Sequence, residues 1–157
     1  MKNTTLNQWV KSKWAMSALL MTAVVLGGCG TTYPVARGAF QDKLGNCPDK
    51  PNCISSNAEE EDREYPPIRF EGDPAAAKRK LLGVINSYPR TTITQDKDNY
   101  LRVEFETAVF GFVDDAEFLI LDNRILVRSA SRVGYSDLGK NRSRMKDIQA
   151  QFEPCCQ

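Results

Sequence analysis

The stretch FVDDAEFLILDNRILVRSASR, residues 112–132, decides the fold because it predicts two antiparallel strands joined by a tight turn. Asp122 and Asn123 tolerate the left-handed backbone conformation that a two-residue hairpin turn requires. Strands are therefore expected over about 112–121 and 124–132.

The register of this hairpin predicts a cross-strand ion pair. Counting back from the turn along both strands places Glu117 opposite Arg128. Because side chains alternate between the two faces of a strand, one face is apolar and is expected to join the core: Phe112, Phe118, Ile120, Ile125 and Val127. The opposite face is charged and carries Asp115, Glu117, Arg128 and Arg132.

Three acids on the first strand, Asp114, Asp115 and Glu117, have the oxygen ligands that magnesium and calcium prefer. We nevertheless predict no metal site, because Asp114 points to the opposite face and the other two acids face arginines. Asp115 and Glu117 are candidate catalytic carboxylates. Structural ion pairing is the favoured interpretation of both.

Basic residues dominate from the second strand to the start of the last helix. Arg128, Arg132, Arg142 and Arg144 are candidate ligands for an anion, since the guanidinium group matches the geometry of carboxylates and phosphates. In the favoured alternative, these arginines bind loop carbonyls and nearby acids, and so fix the last helix to the sheet.

Two helices are expected to flank these strands. The first begins with Asp73 as N-cap and Pro74 at the first helical position, and runs to about Tyr88, where Pro89 ends it. The second lies near 141–152. It places three apolar side chains on one face, namely Met145, Ile148 and Phe152.

Further strands are expected over about 91–95 and 100–107, where Leu101, Val103 and Phe105 alternate with charged residues. The whole pattern predicts an α+β domain: an antiparallel sheet of four or five strands packed with two helices.

Residues 1–28 have the pattern of an export signal. A head with three lysines and no acid precedes an uncharged, mostly apolar run over 14–26, which is shorter than the roughly twenty residues that a spanning helix needs. The following LGGC, residues 26–29, resembles the lipobox of bacterial lipoproteins. Cys29 is therefore predicted to become the acylated first residue of the mature protein.

Lipidation of Cys29 predicts both organisation and location. A tether is expected over 29–46, a single α+β domain over 47–153 and a short C-terminal tail over 154–157. The membrane is the expected partner, through the acyl chains. Gly30 stands where lipoproteins retained in the inner membrane carry Asp, which implies the periplasmic face of the outer membrane.

The remaining cysteines are Cys47, Cys53, Cys155 and Cys156, an even number that permits three disulfide connectivities in an oxidising compartment. We favour the pair of Cys47 and Cys53, because the turn-rich segment between them can bring the thiols together. A zinc site is less favoured at this spacing. Cys155 and Cys156 are either free or joined to another chain.

Composition narrows the classes of function. The signal holds three lysines and no acid, so the mature chain keeps 18 basic and 20 acidic residues, a balance that argues against a nucleic-acid partner. The chain has no histidine, which excludes Ser-His-Asp and Cys-His catalysis and histidine-ligated zinc. We predict no cofactor.

The domain resembles the family of unknown function DUF1499. The resemblance rests on Cys47-Pro48 with the segment 51–56, and on the segments 100–104, 112–118 and 127–144. It implies one compact domain and makes the pair of Cys47 and Cys53 a family feature. It brings no established activity.

Two functions of different class follow from these observations. The favoured one is a non-enzymatic envelope lipoprotein whose domain binds a partner protein, an anionic envelope component or a small ligand. The alternative is a hydrolase or transferase with Asp115 or Glu117 as general base and arginines holding an anion. Catalysis would require a carboxylate in an open pocket with a pKa raised by burial, so a closed pair of Glu117 and Arg128 would count against it.

Overall fold

The computed structural model describes residues 37–153, which contain two helices and eight strands. The strands are β1 (Ala39–Phe40), β2 (Lys43–Leu44), β3 (Cys53–Ser55), β4 (Ile68–Arg69), β5 (Thr91–Lys97), β6 (Tyr100–Glu106), β7 (Val113–Ile120) and β8 (Arg124–Ser131). The helices are α1 (Pro74–Asn86) and α2 (Lys140–Phe152). Among these residues, no helix is long and apolar enough to cross a membrane.

Six of the strands form one antiparallel sheet in the order β3-β8-β7-β6-β5, with β4 also pairing with β8. The α+β prediction is confirmed, and the sheet has six strands where four or five were expected. Periodicity does not identify β3 and β4, whose three and two residues are too few to show the alternation of a strand.

The register of the β7–β8 hairpin is as predicted, with Glu117 opposite Arg128 and Phe118 opposite Val127. One assignment to the core is wrong. Phe112 precedes the first residue of β7 and is 50% exposed, because it belongs to the loop between β6 and β7.

Helix α1 begins as the sequence predicts. The side chain of Asp73 accepts hydrogen bonds from the backbone N–H groups of Ala75 and Ala76, at 3.1 and 3.0 Å, and Pro74 is the first helical residue. The helix ends at Asn86, two residues before the expected Tyr88.

Both helices cover one face of the sheet, which we call the helix face. The predicted stripe of α2 is confirmed, since Met145 and Ile148 are fully buried and Phe152 is nearly so. These side chains join the main apolar core, where each large buried side chain contributes about 1.5–3 kcal/mol to stability.

The opposite face, which we call the outer face, is partly covered by the β1–β2 hairpin. Leu44 of β2 is 3% exposed and packs in a small second cluster with Tyr100, Leu119 and Leu126. Residues 37–45, which the sequence assigned to the tether, are thus packed against the sheet. The two strands of the hairpin have two residues each, too few to leave a periodic pattern.

The predicted disulfide between Cys47 and Cys53 is present, with the two Cα atoms 5.7 Å apart. It joins the chain that leaves the β1–β2 hairpin to the first residue of β3. The predicted signal peptide, Cys29 and the two C-terminal cysteines lie outside the described residues.

The sheet has two distinct ends. At the loop end lie the segments 47–52, 107–112 and 132–139, which precede β3, join β6 to β7 and follow β8. The turn end carries the tight connections 98–99 and 121–123.

Candidate functional site

The predicted pair of Glu117 and Arg128 lies at the centre of the outer face. Arg128 donates from Nη1 to Oε2 of Glu117 at 2.8 Å, and both side chains are 0% exposed. The two side chains therefore bind each other out of contact with solvent.

Glu117 receives three more hydrogen bonds. The hydroxyl of Tyr100 donates to Oε1 at 2.7 Å, and the backbone N–H groups of Arg37 and Gly38 donate to Oε2 and Oε1 at 3.1 and 2.6 Å. Four donors thus converge on one carboxylate, which in its ionised form is an acceptor only. Two of them come from the start of the β1–β2 hairpin, so the covering hairpin is tied to the sheet through Glu117.

This sealed environment changes the acid–base properties of the partners of Glu117. Burial, followed by the hydrogen bond to Glu117, raises the pKa of Tyr100 well above its ordinary value. Burial lowers the pKa of Arg128, against the attraction of Glu117. Within residues 37–153, Nε and Nη2 of Arg128 have no hydrogen-bond partner, so its fork is only partly used.

Asp115 anchors a second cluster on the same face, nearer the loop end. Arg132 donates to it from Nε and Nη2, both at 2.9 Å, and Arg102 donates from Nη2 at 3.2 Å. Arg132 also pairs with Glu104. The hydrogen bonds to Asp115, the largest cause, raise the pKa of Arg132. Asp115 is 0% exposed, so its carboxylate is not open to a substrate.

A third cluster lies on the helix face, where Asp114 receives hydrogen bonds from Ser131 and from Arg144 of α2. The guanidinium group of Arg144 also lies 4.7 Å from the centre of the Phe105 ring. Arg144 therefore does what the favoured interpretation of the arginines predicts: it binds a nearby acid and so fixes the last helix to the sheet.

A buried asparagine, Asn141, lies at the centre of this third cluster and is not predicted from the sequence. Asn141 is 0% exposed and accepts a hydrogen bond from Ser129, while its amide nitrogen donates to Asp137 at 2.8 Å and to the carbonyl of Asn52 at 3.2 Å. It therefore joins β8, the start of α2 and the segment before β3. A polar residue at the second position of a helix gives no sequence signal of such a role.

The four candidate anion-binding arginines do not form one site. Arg128 and Arg132 lie on the outer face in separate ion pairs, and Arg144 lies on the helix face. Arg142 is near the acidic segment 59–62, where it donates to the carbonyl of Asp62 at 2.8 Å. The two candidate carboxylates are neighbours on β7, but each is enclosed by its own donors.

Two surface depressions of about 570 Å³ each lie away from these carboxylates. One is lined by Glu61, Asp62 and Arg142. The other lies at the turn end and is lined by residues that include Asp42, Asn99, Asp122 and Arg124. In the described part of the chain, no group of three or more potential metal-ligating side chains has the arrangement of a metal site.

These features define a small, disulfide-containing α+β domain whose buried charged residues are all in ion pairs. Residues 43–152 match the model of the family described as Protein of unknown function (DUF1499), and the chain belongs to that family. The resemblance seen in the sequence is thereby confirmed. A comparison with curated proteins gives no match.

Proposed function

We propose that this protein is an exported lipoprotein, anchored through acylated Cys29, whose folded domain is a non-catalytic binding module. The anchor is supported by the lysine-bearing head, the apolar run and the LGGC motif of residues 1–29. Gly30 after the cysteine favours the periplasmic face of the outer membrane.

One observation carries the non-catalytic part of the proposal, namely the enclosure of Glu117. A general base must reach the proton that it removes, directly or through one water molecule. Glu117 is fully buried and has four hydrogen-bond donors at its two oxygens. Asp115 is equally buried and is held by two arginines, so the same argument disfavours the alternative of a hydrolase or transferase.

A lipoprotein with such a domain acts by holding or recruiting something at the membrane. The partner is an envelope protein or an anionic envelope component. The exposed acidic segment 59–62 is available to a basic protein surface, and the half-buried Arg142 lines the depression beside it. The buried charge pairs give the domain a fixed shape for this purpose.

Native mass spectrometry of the membrane-extracted protein tests the proposal. We expect a mature chain that begins at an acylated Cys29 and that carries a second, dissociable species. The matched control is Cys29→Ser, which should stay unprocessed and without acyl chains. An acylated chain that is always an empty monomer, under mild extraction as well, would contradict the binding role.

A further inference from the structure

The loop between β6 and β7 presents apolar side chains to solvent. Its sequence, TAVFGF over 107–112, contains no charged residue. Val109 is 81% exposed and Phe110 is 75% exposed, and Phe112 is half exposed. Such side chains are costly to leave in water, so a group of them marks an interaction surface.

The shape of this loop is fixed by its own hydrogen bonds. The backbone N–H of Thr107 donates to the carbonyl of Phe112 at 2.8 Å, and the N–H of Phe112 donates to the hydroxyl of Thr107 at 2.9 Å. Gly111 adopts a φ of 63°, which glycine accepts without strain. The rings of Phe110 and Phe112 stack with their centres 5.5 Å apart. The loop therefore displays the two rings in a defined arrangement.

The segment after β8 adds two exposed apolar side chains at the same end of the sheet. Tyr135 is 72% exposed and Leu138 is 91% exposed. The two segments are joined at their base, because the N–H of Arg132 donates to the carbonyl of Val113 at 3.1 Å. We call these five side chains the apolar rim: Val109, Phe110, Phe112, Tyr135 and Leu138.

The position of Arg37 limits how far the rim can lie from the proposed anchor. Arg37, the first described residue, is hydrogen-bonded to Glu117, which is four residues from the first residue of β7 and so about 13 Å from the loop end. The turn of the β1–β2 hairpin points the other way, since Asp42 lines the depression at the turn end. Arg37 thus lies at the end of this hairpin that is nearer to the rim.

The length of chain before Arg37 limits the distance between the domain and the bilayer. Eight residue steps separate Cys29 from Arg37, and they span at most about 29 Å when fully extended. That reach exceeds the distance from Arg37 to the loop end. An acylated Cys29 and the apolar rim can therefore contact one membrane surface at the same time.

We propose that the apolar rim inserts into the interfacial layer of the bilayer that holds Cys29. The proposal rests on the proposed lipid anchor. Exposed aromatic and aliphatic side chains suit the boundary between headgroups and acyl chains. Because the anchor makes the second contact intramolecular, even weak insertion fixes the orientation of the domain.

The processed protein offers a direct probe of this contact. Trp9 and Trp14 are the two tryptophans of the chain, and both precede Cys29. In the processed form of the full chain, Phe110→Trp therefore introduces the sole tryptophan. The matched control is Asn123→Trp, at the exposed tight turn of the opposite end. Both variants are reconstituted into vesicles of phosphatidylethanolamine and phosphatidylglycerol, with and without brominated acyl chains.

We expect the emission of the Phe110→Trp variant to shift to shorter wavelength on reconstitution and to lose intensity with brominated lipid. The emission of Asn123→Trp should do neither. If both variants float with the vesicles and are quenched equally little, the rim does not contact lipid and the inference is wrong, while the anchor stands. If neither variant floats, the lipid anchor itself is wrong and the inference fails with it.

Discussion

Glu117 connects three parts of the chain that are far apart in sequence. Its oxygens accept from Arg128 on the next strand, from Tyr100 on the preceding one and from two backbone N–H groups about eighty residues upstream. A buried charge of this kind loses its hydration, and its partners must replace it. The contribution of Glu117 to stability is therefore measured by replacing Glu117 or one of its partners at a time.

Replacing Glu117 by Gln should leave Arg128 as a buried charge without a counter-ion. We expect Glu117→Gln to lower the free energy of unfolding by about 3–5 kcal/mol, measured by urea denaturation. The matched control is Glu104→Gln, which affects a carboxylate that is partly exposed beside Arg132. The control should cost no more than about 1 kcal/mol. Equal losses for the two variants would contradict the special position of Glu117.

The raised pKa of Tyr100 predicts a dependence of stability on alkaline pH. The unfolded chain releases the phenolic proton near its ordinary pKa of 10.0, whereas the folded chain retains it to higher pH. The free energy of unfolding should therefore fall as pH rises above about 10, and Tyr100→Phe should make this fall less steep. Tyr65 and Tyr88, whose pKa values are also raised by burial, keep part of the fall in the variant. An unchanged slope would show that Tyr100 ionises alike in both states.

The sequence predicts the residue-scale contacts only where strand register determines them. The opposition of Glu117 and Arg128 follows from a two-residue turn and the alternation of side chains. The hydrogen bonds that Arg37, Gly38 and Tyr100 donate to Glu117 cannot be predicted from the register of this hairpin, because they depend on how other segments pack on the sheet. The role of Asn141 is unpredictable for the same reason, since its partners lie in three separate segments of the chain.

The β1–β2 hairpin is the element that closes the outer face. Its buried Leu44 covers Leu119 and Leu126, and its first residues satisfy Glu117. Leu44→Ala should cost about 2–5 kcal/mol in urea denaturation, because it leaves a cavity over this small cluster. Phe40→Ala on the same hairpin serves as control. Phe40 is 76% exposed, and its loss should change stability by no more than about 0.5 kcal/mol.

The disulfide fixes the segment between this hairpin and β3. Replacing Cys47 and Cys53 together by Ser should lower the free energy of unfolding by about 2 kcal/mol, the value that chain entropy gives for so small a loop. Adding a reductant should bring the unreplaced protein to the same stability as the double variant. A reductant effect that persists in the double variant would point to other cysteines.

Element length explains which parts of the fold the sequence predicts. The strands β5 to β8, with seven or eight residues each, and both helices show clear periodicity and were expected at nearly their observed bounds. The strands β1, β2 and β3 have two or three residues, and their formation depends on a partner that is already in place. The error at Phe112 is of a related kind, because an apolar residue beside a strand has the same pattern as one within it.

At the scale of the whole molecule, the proposed anchor and the domain surface support one another. The carboxylates that first suggested chemistry are enclosed, while the apolar rim is exposed at the loop end of the sheet. Membership in the family supports one compact domain, and the binding partner must be identified by experiment. The proposed function at a membrane surface therefore depends on whether a single residue, Cys29, is acylated.

Mass spectrometry of the N-terminal peptide of the membrane-extracted protein tests this central claim most directly. We predict a peptide that begins at Cys29, with acyl chains attached and residues 1–28 absent. Cys29→Ser should retain the full N-terminus without acyl chains, which provides the control. A peptide that retains residues 1–28 with an unmodified Cys29 would contradict the lipoprotein account.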